Sequence, residues 1–211
     1  MEGFIGYIAE NIGTIGERTL EHIRIVAIAL AGAIPLGVIL GILLARVRSG
    51  GVRDMIFTVL GIGQTIPSLA ILALAVGTIG LGALPAILAI MLYILVPIAR
   101  NTTAGIAMVA PSVVDASRGL GMNNWQILTG VELPLAMPLL VAGIRTATVV
   151  AVSTGTLAYL IGAGGLGELI FTGIALFRPE MMLAGAIPAA LLAIAADWGV
   201  GRVEERMKDK G

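Results

Sequence analysis

The sequence predicts an all-α integral membrane protein with five spans, and three observations predict it. Of its 211 residues, 58% are hydrophobic and only 12% are charged, with a mean hydropathy of +1.02. A soluble domain carries about twice that charged fraction. Apolar blocks long enough to cross a bilayer recur along the chain. Basic residues fall unevenly between those blocks, as membrane orientation requires. The formal net charge is zero, and no basic run exceeds the C-terminal tail, which argues against nucleic acid as a partner. The absence of cysteine excludes disulfides, thiolate chemistry and cysteine-based metal sites.

Residues 1–22 are mildly amphipathic, with Phe4, Ile5, Ile8, Ile12 and Ile15 spaced for one helix face. We expect this segment to lie at the membrane surface. It carries acids and no basic n-region, so a cleaved signal peptide is not expected. The transmembrane domain follows over 23–201. Its first span, Ile25 to Ala45, has 21 residues and so reaches about 31 Å as a helix. Pro35 sits where it would kink that span. The second span runs from Met55 to Val76, interrupted by Pro67, and Gly77 to Gly82 forms a tight turn. The third covers Leu84 to Ala99 and stops at Arg100. After a polar connector, the fourth runs from Met137 to Leu160. A glycine-rich stretch with a short apolar helix, Ile161 to Glu180, leads to the fifth span, Met181 to Val200. Residues 202–211 are expected to be a charged, soluble tail.

Five spans put the termini on opposite sides. With the N-terminus outside, the inner segments hold nine basic residues: Arg46, Arg48, Arg53, Arg100, Arg118, Arg202, Arg206, Lys208 and Lys210. The outer segments then hold three, Arg18, Arg24 and Arg178. That imbalance places the connector between the third and fourth spans, and the C-terminal tail, in the cytoplasm.

The connector, Ala110 to Pro134, is the longest stretch of mixed polarity between apolar blocks. Ser112 with Asp115 reads as a capping box, and Gly121 as the stop about two turns later. Asn123 with Gln126 repeats the start signal, and Pro134 opens the next apolar run. Two stubby helices meeting at a glycine make a compact knob. Small residues at Ala116, Ser117 and Gly121 would let a partner approach the backbone closely, and Gly121 can take a left-handed conformation without steric cost.

These residues resemble the permease subunits of binding-protein-dependent ABC importers. Their signature is Glu-Ala-Ala, three residues, Gly, nine residues, Ile, one residue, Leu-Pro. Here it stands as Asp115-Ala116-Ser117, Gly121, Val131 and Leu133-Pro134, with every spacing kept. Asp replaces Glu, Ser replaces the second Ala, and Val replaces Ile. The runs Ala142-Gly-Ile-Arg-Thr-Ala and Ile161-Gly-Ala-Gly-Gly-Leu-Gly-Glu-Leu-Ile are similar to the permeases of osmoprotectant importers, and methionine permeases share much of the pattern. The resemblance implies a type I importer permease fold in a bacterial or archaeal cytoplasmic membrane. It implies that 110–134 is the coupling segment that sits in a cleft of a cytoplasmic ATPase subunit. It further implies a second permease subunit, identical or paralogous, and a separate external solute-binding protein. Glycine betaine, carnitine or choline is the implied class of solute.

Other motifs carry less. Gly162-Ala-Gly164-Gly165-Leu-Gly167 fits a dinucleotide fingerprint, but it follows a membrane span rather than a strand, so a tight external turn is the better reading. No Walker-type phosphate loop is present, so ATP and its Mg would be bound by a partner chain. His22 is the one histidine and is expected at the membrane edge, away from any nucleophile. The chain is not expected to be an enzyme, and no metal site is expected. Arg145 and Asp197 are the ionisable residues best placed within the membrane; they could pair, or each could reach the inner headgroups separately. Gln64, Ser68, Ser153, Thr154, Thr156 and Tyr159 lie inside spans and could line a path or bond within and between helices. The alternatives in function are a permease of this fold for another solute such as methionine, an ATP-independent secondary transporter, and a membrane-embedded enzyme.

Overall fold

The computed structural model describes residues 2–47 and 49–208, which are helical almost throughout. In chain order the helices are α1 (Glu2–Ala45), α2 (Gly50–Thr65), α3 (Ser68–Ile79), α4 (Ala83–Ala107), α5 (Pro111–Gly119) and α6 (Asn124–Ile127). A π-helical turn, Leu128–Glu132, joins α6 to α7 (Leu133–Gly155). A 3₁₀ segment, Thr156–Ile161, then leads to α8 (Gly167–Ala175) and α9 (Pro179–Lys208). Among the described residues, four helical stretches are long and apolar enough to cross a membrane: Gly3–Ala45, Ala83–Ala107, Asn124–Ile161 and Pro179–Met207.

The core lies where α1, α4 and α7 meet. Ile25, Val26, Ala29 and Ala33 of α1 pack with Ile90, Ile94 and Ile98 of α4 and with Ala147, Ala151 and Val152 of α7. Ala29, Ala33, Gly37 and Gly41 recur every fourth residue, which puts a stripe of small side chains on one face of α1. Inside a bilayer such stripes let helix backbones approach closely. The approach is tightest at Gly41, where a β-carbon would lie 2.5 Å from Thr102 Cβ and 2.7 Å from the Ala99 carbonyl. There Thr103 Oγ1 donates to the Gly41 carbonyl at 2.9 Å. Large side chains on the outer faces, Ile28, Ile39 and Leu43 of α1 and Leu191 and Ile194 of α9 among them, stay exposed, as suits lipid or another span.

Several sequence-based boundaries move. The N-terminal segment and the first span are one unbroken helix, α1, so nothing divides the chain at residues 22–25. The expected second span is two helices of 16 and 12 residues, parted at Ile66 and Pro67. Proline disfavours α conformation in the residue before it, and Ile66 is extended, at φ −68° and ψ 126°. The third span does not stop at Arg100 but runs to Ala107, because Asn101, Thr102 and Thr103 turn into the bundle. The fourth starts earlier, at Leu133, and tightens to 3₁₀ from Thr156.

The C-terminal tail is also helical, as the end of α9, through Lys208. It is held there by side chains. Arg202 stacks over Trp198 at 4.4 Å, and Glu204, 8% exposed, accepts from Arg145 Nη1 at 3.2 Å. Arg145 and Asp197 do pair, through Nε–Oδ1 and Nη2–Oδ2 contacts that are both 2.7 Å. The α7–α9 contact therefore carries an arginine fork with two acids rather than two separate snorkelling charges. Residues 209–211 lie outside the described residues, as does Arg48.

Candidate functional site

The segment 110–134 folds as a short helix, a glycine turn and a second helical start. Ala110 is the N-cap of α5 and has no polar side chain with which to cap it, and Pro111 occupies the first turn. The expected Ser112–Asp115 capping box is therefore absent. Proline needs no donor satisfied at that position and is pre-set for helix, so the start is fixed another way. Asp115 instead accepts from Arg118 Nη1 at 3.2 Å, one turn on. Gly121 ends the helix with φ +82°, the left-handed conformation expected of it. The bonds Gly121 N–H to Arg118 C=O at 2.9 Å and Met122 N–H to Ser117 C=O at 3.2 Å close the turn.

The second start is as the sequence implies. Asn123 Oδ1 accepts from the Gln126 N–H at 2.9 Å, and Gln126 Oε1 accepts from the Asn123 N–H at 2.8 Å. This capping box opens no stub, however: α6 passes through the π turn straight into α7. The knob is one short helix folded back at the foot of a long one.

Of the motif residues, Asp115, Ala116, Gly121 and Pro134 are exposed, Val131 and Leu133 are half-buried, and Ser117 is buried at 7% exposure, donating to the Val113 carbonyl. Leu120 and Trp125 are 84% and 71% exposed, a large apolar area on a segment rich in polar neighbours. A groove of ≈ 640 Å³ separates the two arms of the knob, lined by Val114 and Arg118 on one side and Asn124, Trp125 and Leu128 on the other. Arg46 and Glu132 close its base. Glu132 is 4% exposed, and both its oxygens meet both terminal nitrogens of Arg46, Nη1–Oε1 at 2.9 Å. Sequence reasoning missed this pair. Its partners stand 86 positions apart, and no periodicity links them.

Most of the residues singled out for a path bond within their own helix or to a neighbouring one. Gln64 Nε2 donates to the Tyr93 carbonyl at 3.3 Å and, with Tyr93 and Ile66, lines a cavity of ≈ 290 Å³ beside the α2–α3 break. Ser68 begins α3. Ser153 donates to the Val149 carbonyl at 3.1 Å, Thr156 to the Ser153 carbonyl at 2.8 Å, and the Tyr159 hydroxyl meets Thr172 at 3.2 Å. Thr154 is buried at 8% exposure.

At the far end of α7 the glycine-rich stretch is a folded turn, with Gly162, Gly164 and Gly165 at φ +79°, +79° and +82°. Glu21 Oε2 accepts from the Gly165 N–H at 3.1 Å, and Arg18 bridges Glu21 and Glu168 at 2.9 Å each. His22 is packed inside the bundle. It is 1% exposed, with Nε2–H donating to the Val152 carbonyl at 3.1 Å, and its Nδ1 has no partner among the described residues. No group of acids and histidine able to hold a metal occurs among the described residues.

Long apolar helices around a shared core, with an exposed knob between two of them, define an all-helical membrane-protein fold. In overall fold the chain is similar to the methionine ABC transporter MetNI in inward-facing conformations, with a TM-score of 0.79 at 20% identity over 89% of this chain and 93% of that one. It is likewise similar to an amino acid ABC transporter crystallised with histidines, with a TM-score of 0.76 at 15% identity over 95% and 97% of the two chains. Residues 37–209 match the family described as binding-protein-dependent transport system inner membrane component, and the chain belongs to that family.

Among its relatives are the carnitine transport permease protein OpuCB of Listeria monocytogenes, 40% identical over 100% of this chain and 95% of that one. Another is the osmoprotectant import permease protein OsmW of Salmonella typhimurium, 39% identical over 98% of each. The chain is thus a non-catalytic component of an inner-membrane ABC importer, and an ATPase and a solute-binding protein are its implied partners.

Proposed function

We propose that this chain forms the translocation path of an ATP-driven importer for a small osmoprotectant such as glycine betaine, carnitine or choline. In this reading residues 110–134 couple the path to a separate ATPase, through Asp115, Ala116, Ser117, Gly121, Val131, Leu133 and Pro134. The observation that carries it is the knob itself. It is built on a left-handed glycine, offers Leu120 and Trp125 to a partner, and keeps the family spacing over 115–134. The carnitine and osmoprotectant permeases near 40% identity, each aligned over nearly the whole chain, support the solute class.

The chain has five spans, α2 and α3 forming the second as a pair broken at Pro67. Its N-terminus is outside, and the knob and C-terminus are in the cytoplasm. Nine basic residues on the inner segments against three on the outer ones support that orientation. Two permease subunits, identical or paralogous, assemble around the path. Gln64, Ser68, Ser153, Thr154 and Tyr159 are its candidate lining residues. ATP and Mg belong to the ATPase chains.

Gly121→Asp tests the coupling role. A β-carbon at Gly121 meets no atom of this chain within 4 Å, so the substitution leaves folding and insertion intact at a cost of about 1 kcal/mol in backbone strain. Uptake of radiolabelled glycine betaine, carnitine and choline should be abolished in cells expressing the variant with its ATPase and binding protein. Normal uptake at equal membrane expression would refute the assignment of the knob.

A further inference from the structure

We infer that Arg46 and Glu132 form a positioning pair that carries the displacement of the knob into α1. The inference rests on the coupling role proposed for 110–134 and names the side chains through which that role reaches the rest of the bundle.

The knob is self-contained. Ser117 bonds Val113, Arg118 bonds Asp115, Asn123 and Gln126 bond each other, and Thr129 bonds the Trp125 carbonyl. Among the described residues, every side-chain hydrogen bond of 110–132 closes within the segment except those of Glu132 to Arg46. The knob is therefore joined to the bundle covalently, at each end of its own sequence, and among the described residues its one side-chain polar link is this one, to the residue that follows α1.

The link is built to hold direction. Arg46 is the first residue after α1, the longest helix, which packs on α4, α7 and α9. A guanidinium fork on both oxygens of a carboxylate fixes distance and angle together, which a lysine cannot do. Glu132 is buried and closes the π turn, directly before Leu133 and Pro134 of the motif. A buried carboxylate left alone is costly, so the two groups should move as one. A pull on the knob then acts on two long helices, α7 through the backbone and α1 through the pair. The backbone also joins the knob to α4, so without the pair only α4 and α7 would be pulled directly.

The test uses the complete importer in proteoliposomes, with wild-type, Glu132→Gln, Arg46→Gln and Arg46→Lys chains. Complex yield, ATP hydrolysis with and without solute-loaded binding protein, and solute uptake are measured on each. Expected for Glu132→Gln is assembly at wild-type yield with basal hydrolysis unchanged, and for Arg46→Gln, which strands the buried carboxylate, a lower yield with unchanged basal hydrolysis per assembled complex. Uptake and the stimulation of hydrolysis by the loaded binding protein should each fall about tenfold, the scale of a coupling between distant sites. Arg46→Lys, which keeps charge without the fork, should recover part of both.

Unchanged uptake and stimulation in the Gln variants would overturn the inference while leaving the coupling role of the knob standing. Loss of assembly in step with uptake, with Arg46→Lys no better than Arg46→Gln, would reduce the pair to a structural brace and overturn it as well. Failure of the wild-type complex to take up any of the three solutes would remove the functional reading beneath it.

Discussion

The two ends of α7 are built in opposite ways. At its C-terminal end the chain is sewn down: the 160s turn is held by Glu21 and Arg18 of α1, and His22 is wedged between Val152 and Gly165. At its N-terminal end the knob's side chains bond within the knob, and among the described residues its one ion pair to the bundle is with Arg46, which follows α1. The contrast teaches that one helix can serve as anchor and as handle. A rigid attachment at one end lets force applied at the other be felt as rotation of the whole helix instead of local bending.

Substitutions at the sewn end should therefore cost stability, and substitutions at the free end should cost transport alone. The largest effect is expected at Gly167, where a β-carbon would stand 1.8 Å from the Thr156 carbonyl. Gly167→Val forces backbone apart and should lower stability by more than about 3 kcal/mol. Little monodisperse protein should survive size-exclusion chromatography in detergent. His22→Ala comes next. It removes the bond to the Val152 carbonyl and opens a hole beside Gly165, for a loss of about 2–3 kcal/mol in thermal unfolding of the purified chain.

The smallest effect on stability belongs to Trp125→Ala. Its ring is 71% exposed, so unfolding should shift by less than about 0.5 kcal/mol. Uptake by the assembled importer should nevertheless drop severalfold. A destabilised Trp125→Ala chain, or a fully stable Gly167→Val chain, would erase the division between anchor and handle.

Much of this division was legible in the sequence, and the reasons are local. Gly121 announces a left-handed stop because few other residues adopt one cheaply, and Asn123 with Gln126 announces a helix start because the box is written in four consecutive positions. Pro67 announces a break for the same kind of reason. Ser112 and Asp115 misled, since a proline at the first turn and a β-extended Ala110 do the same job with no side chain.

Helix ends were misjudged wherever polarity was taken for termination. Beyond Arg100 and beyond Arg202 the chain stays helical, with Thr103 and Glu204 bonded to other helices. Such partners are set by the tertiary fold, and single-sequence periodicity is blind to them. Arg46–Glu132, Arg18–Glu168 and the burial of His22 were hidden for that reason. Arg145 with Asp197 could be suspected only because both charges were conspicuous in apolar surroundings.

The π turn at Leu128–Glu132 gives the family spacing a meaning beyond counting. Such a turn is an α-helix with a residue slipped in, and each residue around a helix advances the azimuth by about 100°. The five residues 128–132 turn through about the angle that four take in an α-helix, so the π turn absorbs the extra residue and keeps α6 and α7 in phase. Wound as plain α-helix at the same length, the segment would turn Trp125 and the short arm at 111–119 about 100° around the axis, toward a different neighbour. The nine residues between Gly121 and Val131 thus act as a compass setting, and insertions or deletions there should be tolerated far less than changes of residue type.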